Sequence, residues 1–194
     1  QHDRNNHNSL IYDNATALLI DDEDALWVCT QKGVSKLDAS RTQFSHYLVD
    51  KQCDAILMDN NKNIWIGTAS DGVYVLKKGQ DIPLNYRHVK GDQNSLSGNY
   101  VTDIYQGDNN KIWLGTLGAG INLWLPNIQG FEHFNEEDGL ASNSVSTIIG
   151  DELGRLWITS ANGLSVLNPS NRHVINFFVE DGYSPMPLII YPIL

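Results

Sequence analysis

One short pattern occurs four times in this chain. The stretches "DDEDALWVCT", "DNNKNIWIGT", "GDNNKIWLGT" and "DELGRLWITS" each carry an acidic or amide-rich turn, an apolar residue, a tryptophan, and then a small or hydroxyl residue. Their tryptophans are Trp27, Trp65, Trp113 and Trp157, at spacings of 38, 48 and 44 residues. Self-similarity at roughly 40–50 residues marks a repeat architecture, in which each repeat is one small unit that buries its faces against its neighbours.

Aligned on the tryptophans, the repeats define hairpins. Six residues before them stand Asp21, Asp59, Gly107 and Asp151, with Asp108 one place late in the third repeat; three before them stand Asp24, Lys62, Asn110 and Gly154. An Asp at a strand end accepts a bond from the backbone two residues on, and Asp, Asn or Gly tolerates the left-handed conformation of a tight turn. Lys62 fits that role poorly, and its neighbour Asn61 is the expected substitute. Gly33, Gly72, Gly120 and Gly163 mark a second turn, each followed by Val, Val, Ile or Leu.

Each repeat therefore yields four strands: one such as "DAILMD", "VTDIYQ" or "VSTIIG", one carrying the Trp, one after the glycine, and one around "TQFSHY", "LNYRHV" or "GFEHFN". No helical period survives over an ~11-residue window, and several strands are apolar on both faces. Four short antiparallel strands per repeat, buried on both faces, describe β-propeller blades. The fold class expected is all-β, with about four blades over repeats at 15–54, 55–100, 101–144 and 145–187, in a single segment spanning 1–194. Residues 188–194 read as the first strand of an unfinished fifth repeat, and an apolar strand with a free edge invites association. The blades are expected to form an arc of a larger ring, for example one of about seven blades, or to be completed by self-association. Trp27, Trp65, Trp113 and Trp157 form the structural core of the repeats, each offering roughly 150–250 Å² of apolar surface to the wedge between blades.

The charge limits the partners. Lys and Arg total 13 against 23 Asp and Glu, a formal charge of −10. Such a surface repels phosphate backbones, so no nucleic-acid partner is expected. No run approaches the ~18 apolar residues of a membrane helix, and no membrane contact is expected from this segment. Cys29 and Cys53 stand in no metal or redox spacing; an even count permits a disulfide without requiring one. Starting at Gln1, the sequence reads as a processed or excised piece.

The segments "LWVCT…GVSKL", "IWIGT…DGVYVL", "IWLGT…GAGINLW" and "LWITS…NGLSVL", with the steps "FNEEDGLASNSV", "VEDGYSP" and "GDQNSLSGNYV", resemble the two-component regulator propeller repeat family from about His2 to the C-terminus. Repeat three departs at the Asp, repeat one has Cys29 for the Gly of "WIGT", and repeat four has Thr159 there. The resemblance implies a non-catalytic, periplasmic or otherwise extracytoplasmic sensor region of a bacterial signalling protein. In such proteins it precedes a membrane helix and a histidine kinase, response regulator or diguanylate cyclase. It further implies a small-molecule or oligosaccharide ligand and downstream signalling domains as partners, with no cofactor.

No catalytic or metal constellation stands out. His46, His88 and His133 fall at matching places in the fourth strands of repeats one to three, about 15 Å outside the first strands at ~4.8 Å per strand, too far apart to share a metal and expected as exposed rim residues. "DNNKNIW" lacks the Gly and Glu of a calcium loop, having Ile64 and Ser70 at those places. A propeller lyase resembling streptogramin lyase is the enzyme alternative; it needs a His or Glu pair, or a metal cluster, converging on the axis, and the first strands offer Asp103 but no matching His. A protein-binding scaffold is the third reading, without the "GH…WD" signature of WD repeats. A ligand site is expected on the face formed by loops entering the first strands and joining strands two and three. Those loops are 50–53, 94–100 and 143–144, and the candidates are Lys32, Ser70, Asp71, Asn99, Tyr100, Asn143, Ser144 and Asn162.

Overall fold

The hairpin signals translate directly into four sheets. The computed structural model describes residues 1–178, and the strand expected at 188–194 lies outside the described residues. The first sheet comprises β1 (Ala15–Ile20), β2 (Leu26–Thr30), β3 (Gly33–Leu37) and β4 (Phe44–Tyr47). The second holds β5 (Cys53–Met58), β6 (Ile64–Thr68), β7 (Val73–Leu76) and β8 (Leu84–Tyr86). The third holds β9 (Val101–Gln106), β10 (Ile112–Thr116), β11 (Gly120–Leu125) and β12 (Gly130–Phe134), and the fourth β13 (Val145–Gly150), β14 (Leu156–Ser160), β15 (Gly163–Asn168) and β16 (His173–Phe177). Each sheet pairs its strands antiparallel in sequence order.

Local chemistry sets the first turn of each blade. Asp21 Oδ1 accepts from the Glu23 and Ala25 amides at 3.0 and 2.8 Å, and Asp151 Oδ1 accepts from those of Leu153 and Arg155, both at 3.0 Å. The residue three before each Trp is left-handed throughout, with φ of 61° at Asp24, 67° at Lys62, 60° at Asn110 and 70° at Gly154. Lys62 itself takes this conformation, not Asn61: the turn's hydrogen bonds, including Lys62 N to Asp59 O at 2.8 Å, override its side-chain preference.

The blades stack through their inner strands, β1 on β5, β5 on β9 and β9 on β13. Among the described residues β13 makes no comparable packing with β1, so the sheets form an arc and not a closed ring. Trp27, Trp65 and Trp113 are buried between consecutive blades, whereas Trp157, on the last described blade, is only half-buried. The two ends of the arc expose apolar side chains: Leu18 (65%) and Ile20 on β1, Ile149 (57%) and Ile175 on the fourth sheet.

Contact between blades explains the residue after the Trp strand's centre. A Cβ on Gly67 would lie 2.8 Å from Val101 Cγ1, and one on Gly115 the same distance from Val145 Cγ1. In the first blade the corresponding pair is Cys29 and Cys53, two medium-sized side chains in place of one absent and one branched. Both are buried free thiols in the core shared by blades one and two. Burial raises both thiols, Cys53 to about 12, so neither is a reactive thiolate.

A wedge completes three of the four blades. The segments before β1, β9 and β13 carry Leu10, Leu96 and Leu140, and Leu96 and Leu140 are buried between blades. Each segment is pinned to the third strand of the blade it enters: the amides of Ile11, Ser97 and Ala141 donate to Ser35 Oγ, Asn122 Oδ1 and Ser165 Oγ at 2.8–3.0 Å. Only 48–52 separates β4 from β5, too short to form the wedge. There the third-strand position holds Tyr74, which packs with Leu48 into the same core.

Candidate functional site

The face formed by the entering loops and the second turns holds all eight expected site residues, but they do not converge on one point. Asn143 and Ser144 serve the scaffold: the Asn143 carbonyl accepts from the Gly118 and Gly120 amides at 3.0 and 2.8 Å, and Ser144 bridges to Leu117. Asn143 Oδ1 further accepts from Glu136 N at 2.9 Å. Asn99 plays a similar part, its carbonyl accepting from Gly72 N at 2.8 Å and its Oδ1 from His88 N at 2.7 Å. Lys32 is exposed, its carbonyl holding the Asp50 amide at 2.9 Å. Asn162 is exposed, and its side chain makes no hydrogen bond among the described residues.

The remaining candidates lie around blade two, Ser70 and Asp71 in its second turn and Tyr100 in the loop entering the third sheet. The short link 48–52 leaves this blade without a wedge segment over its outer strands. Lys51 Nζ meets Asp71 Oδ2 at 2.7 Å, and that hydrogen bond holds the ammonium above its usual range. Ser70 Oγ lies 3.5 Å from the same oxygen. Beside them Gln52 Nε2 donates to both oxygens of Asp54 at 3.1 Å. Burial, followed by the Asp54 hydrogen bond and charge, pushes the Tyr100 phenol up. The set offers an ammonium, two carboxylates, an amide, a hydroxyl and a phenol, donors and acceptors suited to a polyhydroxylated ligand. Asp54 escaped the sequence reading; its signal was a carboxylate at the second place of β5, where β1 and β9 have Thr16 and Thr102.

The histidines turn out to be structural pegs. His46 faces Ser35 and His133 faces Asn122 across the third and fourth strands, but the matching partner of Tyr74 is Asn85, and His88 lies beyond β8. His88 is exposed as expected, whereas His46 and His133 are half-buried, and all three bond to backbone carbonyls. His133 Nε2 donates to the Ser95 carbonyl at 2.7 Å, His88 Nδ1 to that of Leu96 at 2.9 Å, and His46 Nε2 to that of His7 at 3.2 Å. In the fourth blade Asn176 Nδ2 does the same for Gly139 O at 2.8 Å. Asp103 is likewise engaged, accepting from Ile148 N at 2.7 Å and its neighbour Ile104 N at 2.9 Å, and burial raises its carboxyl.

Four-stranded antiparallel sheets, stacked through their inner strands around a common arc, define a β-propeller protein. Within that class, the family described as two component regulator propeller matches residues 95–118 and 139–162. Among curated proteins none matches this chain in sequence. Among solved structures, the chain is similar to the extracellular domain of BT3049 from B. thetaiotaomicron, described as a hybrid two component system, with 25% identity and a TM-score of 0.73. The match covers 86% of this chain and 23% of that one. The extracellular domain of BT4673 from the same organism, described in the same way, gives 22% identity, a TM-score of 0.71 and coverage of 87% and 25%. Virginiamycin B lyase from Staphylococcus aureus shares the fold at 14% identity and a TM-score of 0.69, covering 90% of this chain and 57% of the lyase. The chain thus spans about a quarter of the two signalling-system domains, and these have the higher identity.

Proposed function

We propose that this chain is a non-catalytic, extracytoplasmic ligand-sensing segment of a bacterial signalling receptor, with an oligosaccharide as ligand. The observation that carries the reading is the polar cluster at blade two, where Lys51, Asp54, Ser70 and Asp71 stand on the one blade without a covering wedge and Tyr100 joins them from the loop entering the third sheet. Asn99 and the more distant Lys32, Asn143, Ser144 and Asn162 extend the same loop face, and a long ligand would reach them. The likeness to extracellular domains of two component systems supports the location and the coupling to downstream signalling domains. The exposed apolar flanks at both ends of the arc support further blades or a second copy as neighbours. The whole of 1–194, with its repeats and the fifth beginning at 188, acts in this reading as one propeller segment.

The lyase fold keeps an enzymatic reading in play, but acid–base chemistry needs side chains free to exchange protons. His46, His88 and His133 are bound to backbone carbonyls, and Asp103 to two amides. The test is calorimetric titration of the chain with a panel of plant and host-derived oligosaccharides, repeated on Asp71→Ala and Tyr100→Ala. The expected result is one binding class weakened about tenfold or more by either change. Unchanged affinity in both variants would remove this face from the reading.

A further inference from the structure

The first turns and the turns joining strands three and four lie on the face opposite the loop face, and there a cleft opens at each blade junction. The three clefts occupy equivalent places in the repeat, so each is a control for the others. Between blades one and two the cleft, about 270 Å³, is crossed by ion pairs from Lys62 and Lys78 to Asp22 at 3.5 and 3.9 Å, and on its blade-one wall Lys36 pairs with Asp21 at 3.3 Å. Between blades three and four it narrows to about 180 Å³, with Arg155 paired to Asp151 at 2.7 Å. The cleft between blades two and three is larger, about 360 Å³, and among the described residues no ion pair crosses it.

That middle cleft is lined by aromatic rings. Trp124 occupies the third-strand place that is Leu37, Leu76 and Leu167 in the other blades, so packing alone does not call for an indole there. It is held edge-on to Tyr86 and Trp65, with ring centroids 4.8 and 5.6 Å away, and remains partly exposed. The Tyr86 hydroxyl makes no hydrogen bond among the described residues, while burial raises the phenol. Around the rings, the side chains of Asn109 and Gln129 also make no hydrogen bond among the described residues. Asp59, the cleft's one carboxylate, is taken up by Trp65 Nε1 at 2.9 Å and Asn63 Nδ2 at 2.8 Å. Lys77 and Lys111 line the cleft and form no ion pair among the described residues, although the chain as a whole carries −10.

We propose that this middle cleft is a second binding site, which takes a pyranose ring bearing a carboxylate. A sugar ring presents an apolar C–H face to an aromatic side chain and hydroxyls to amides, and a uronate adds one charge for an unpaired lysine. Trp124 and Tyr86 would supply the platform, Asn109 and Gln129 the hydroxyl contacts, and Lys111 the counter-charge. The site is independent of the loop-face reading and fails separately from it.

Nuclear magnetic resonance titration with glucuronate and galacturonate, against glucose and galactose, tests the site on the whole chain. Binding of either uronate shifts the Trp124 indole and the Asn109 and Gln129 side-chain amides, with the neutral sugars about tenfold weaker. Trp124→Leu, which restores the residue of the other blades and keeps the junction packed, abolishes the shifts. Lys111→Ala removes the preference for the uronates, and Lys90→Ala, at an exposed lysine outside the cleft, leaves both unchanged. Absence of shifts with either uronate, equal affinity for the neutral sugars, or shifts that survive in Trp124→Leu would overturn the proposal.

Discussion

The Asp59 carboxylate accepts a 2.9 Å hydrogen bond from the Trp65 indole nitrogen, across the first hairpin of the blade. The same brace joins Asp21 to Trp27 at 2.8 Å and Asp151 to Trp157 at 2.9 Å, so one oxygen closes the turn and the other fixes the indole. Replacing Asp59 by Ala strands a buried indole N–H and is expected to lower stability by about 1–3 kcal/mol in urea unfolding. The third blade manages without this brace. With Gly107 at that place, Asp108→Ala is expected to shift the urea midpoint far less.

Acid should weaken the brace in a defined window. The Trp157 hydrogen bond comes first in holding the Asp151 carboxyl at about 2, below its ordinary 3.8, with the Arg155 amide and guanidinium adding to it against a smaller opposing desolvation. Because the folded state lowers this value, its contribution is complete above about 3.8 and lost as pH falls towards 2. The stability difference between the native chain and Asp151→Asn is therefore expected to shrink across that window. A constant difference in urea midpoint would contradict the assignment.

Gly67 and Val101 meet where blades two and three touch. A methyl group on Gly67 has no room beside the Val101 Cγ1, and Gly67→Ala is expected to cost about 1–3 kcal/mol. Val101→Ala makes the room, so the double variant should recover part of the loss. A double-mutant cycle in urea measures that coupling, and additive losses would show that the two side chains do not compete.

The wedge should be the costliest part of a junction to remove. Leu96 is fully buried, and Leu96→Ala is expected to lose about 2–5 kcal/mol. Tyr74→Ser places in blade two the residue found in blades one and four, but no wedge segment is there to use it. A loss of about 2 kcal/mol or more is expected, whereas wedge-bearing blades tolerate Ser at the same place.

The peg positions make a simple exchange possible. Asn176 performs in blade four what His133 performs in blade three, so His133→Asn should retain slow hydrogen exchange in the segment around Ser97. His133→Leu leaves the Ser95 carbonyl unpaired and should speed exchange there, with a loss of about 1–3 kcal/mol.

The sequence by itself determined the repeat, the four-stranded blade, the turn at each Asp, and a place between blades for Trp27, Trp65 and Trp113. These follow from contacts made within one hairpin, where partners lie a few residues apart and residue type dictates conformation. Even there the indole bond to Asp was not legible, because nothing in the spacing tells which way the second carboxylate oxygen points. The tertiary structure alone decided what crosses from blade to blade. It set Cys29 and Cys53 where Gly and Val meet elsewhere, put Tyr74 in the space of a missing wedge, turned His46 and His133 from rim residues into pegs, and separated Asn143 and Ser144 from the polar cluster on blade two. Those relationships join side chains from different repeats, and their geometry depends on how far one twisted sheet is rotated against the next, which no local pattern encodes.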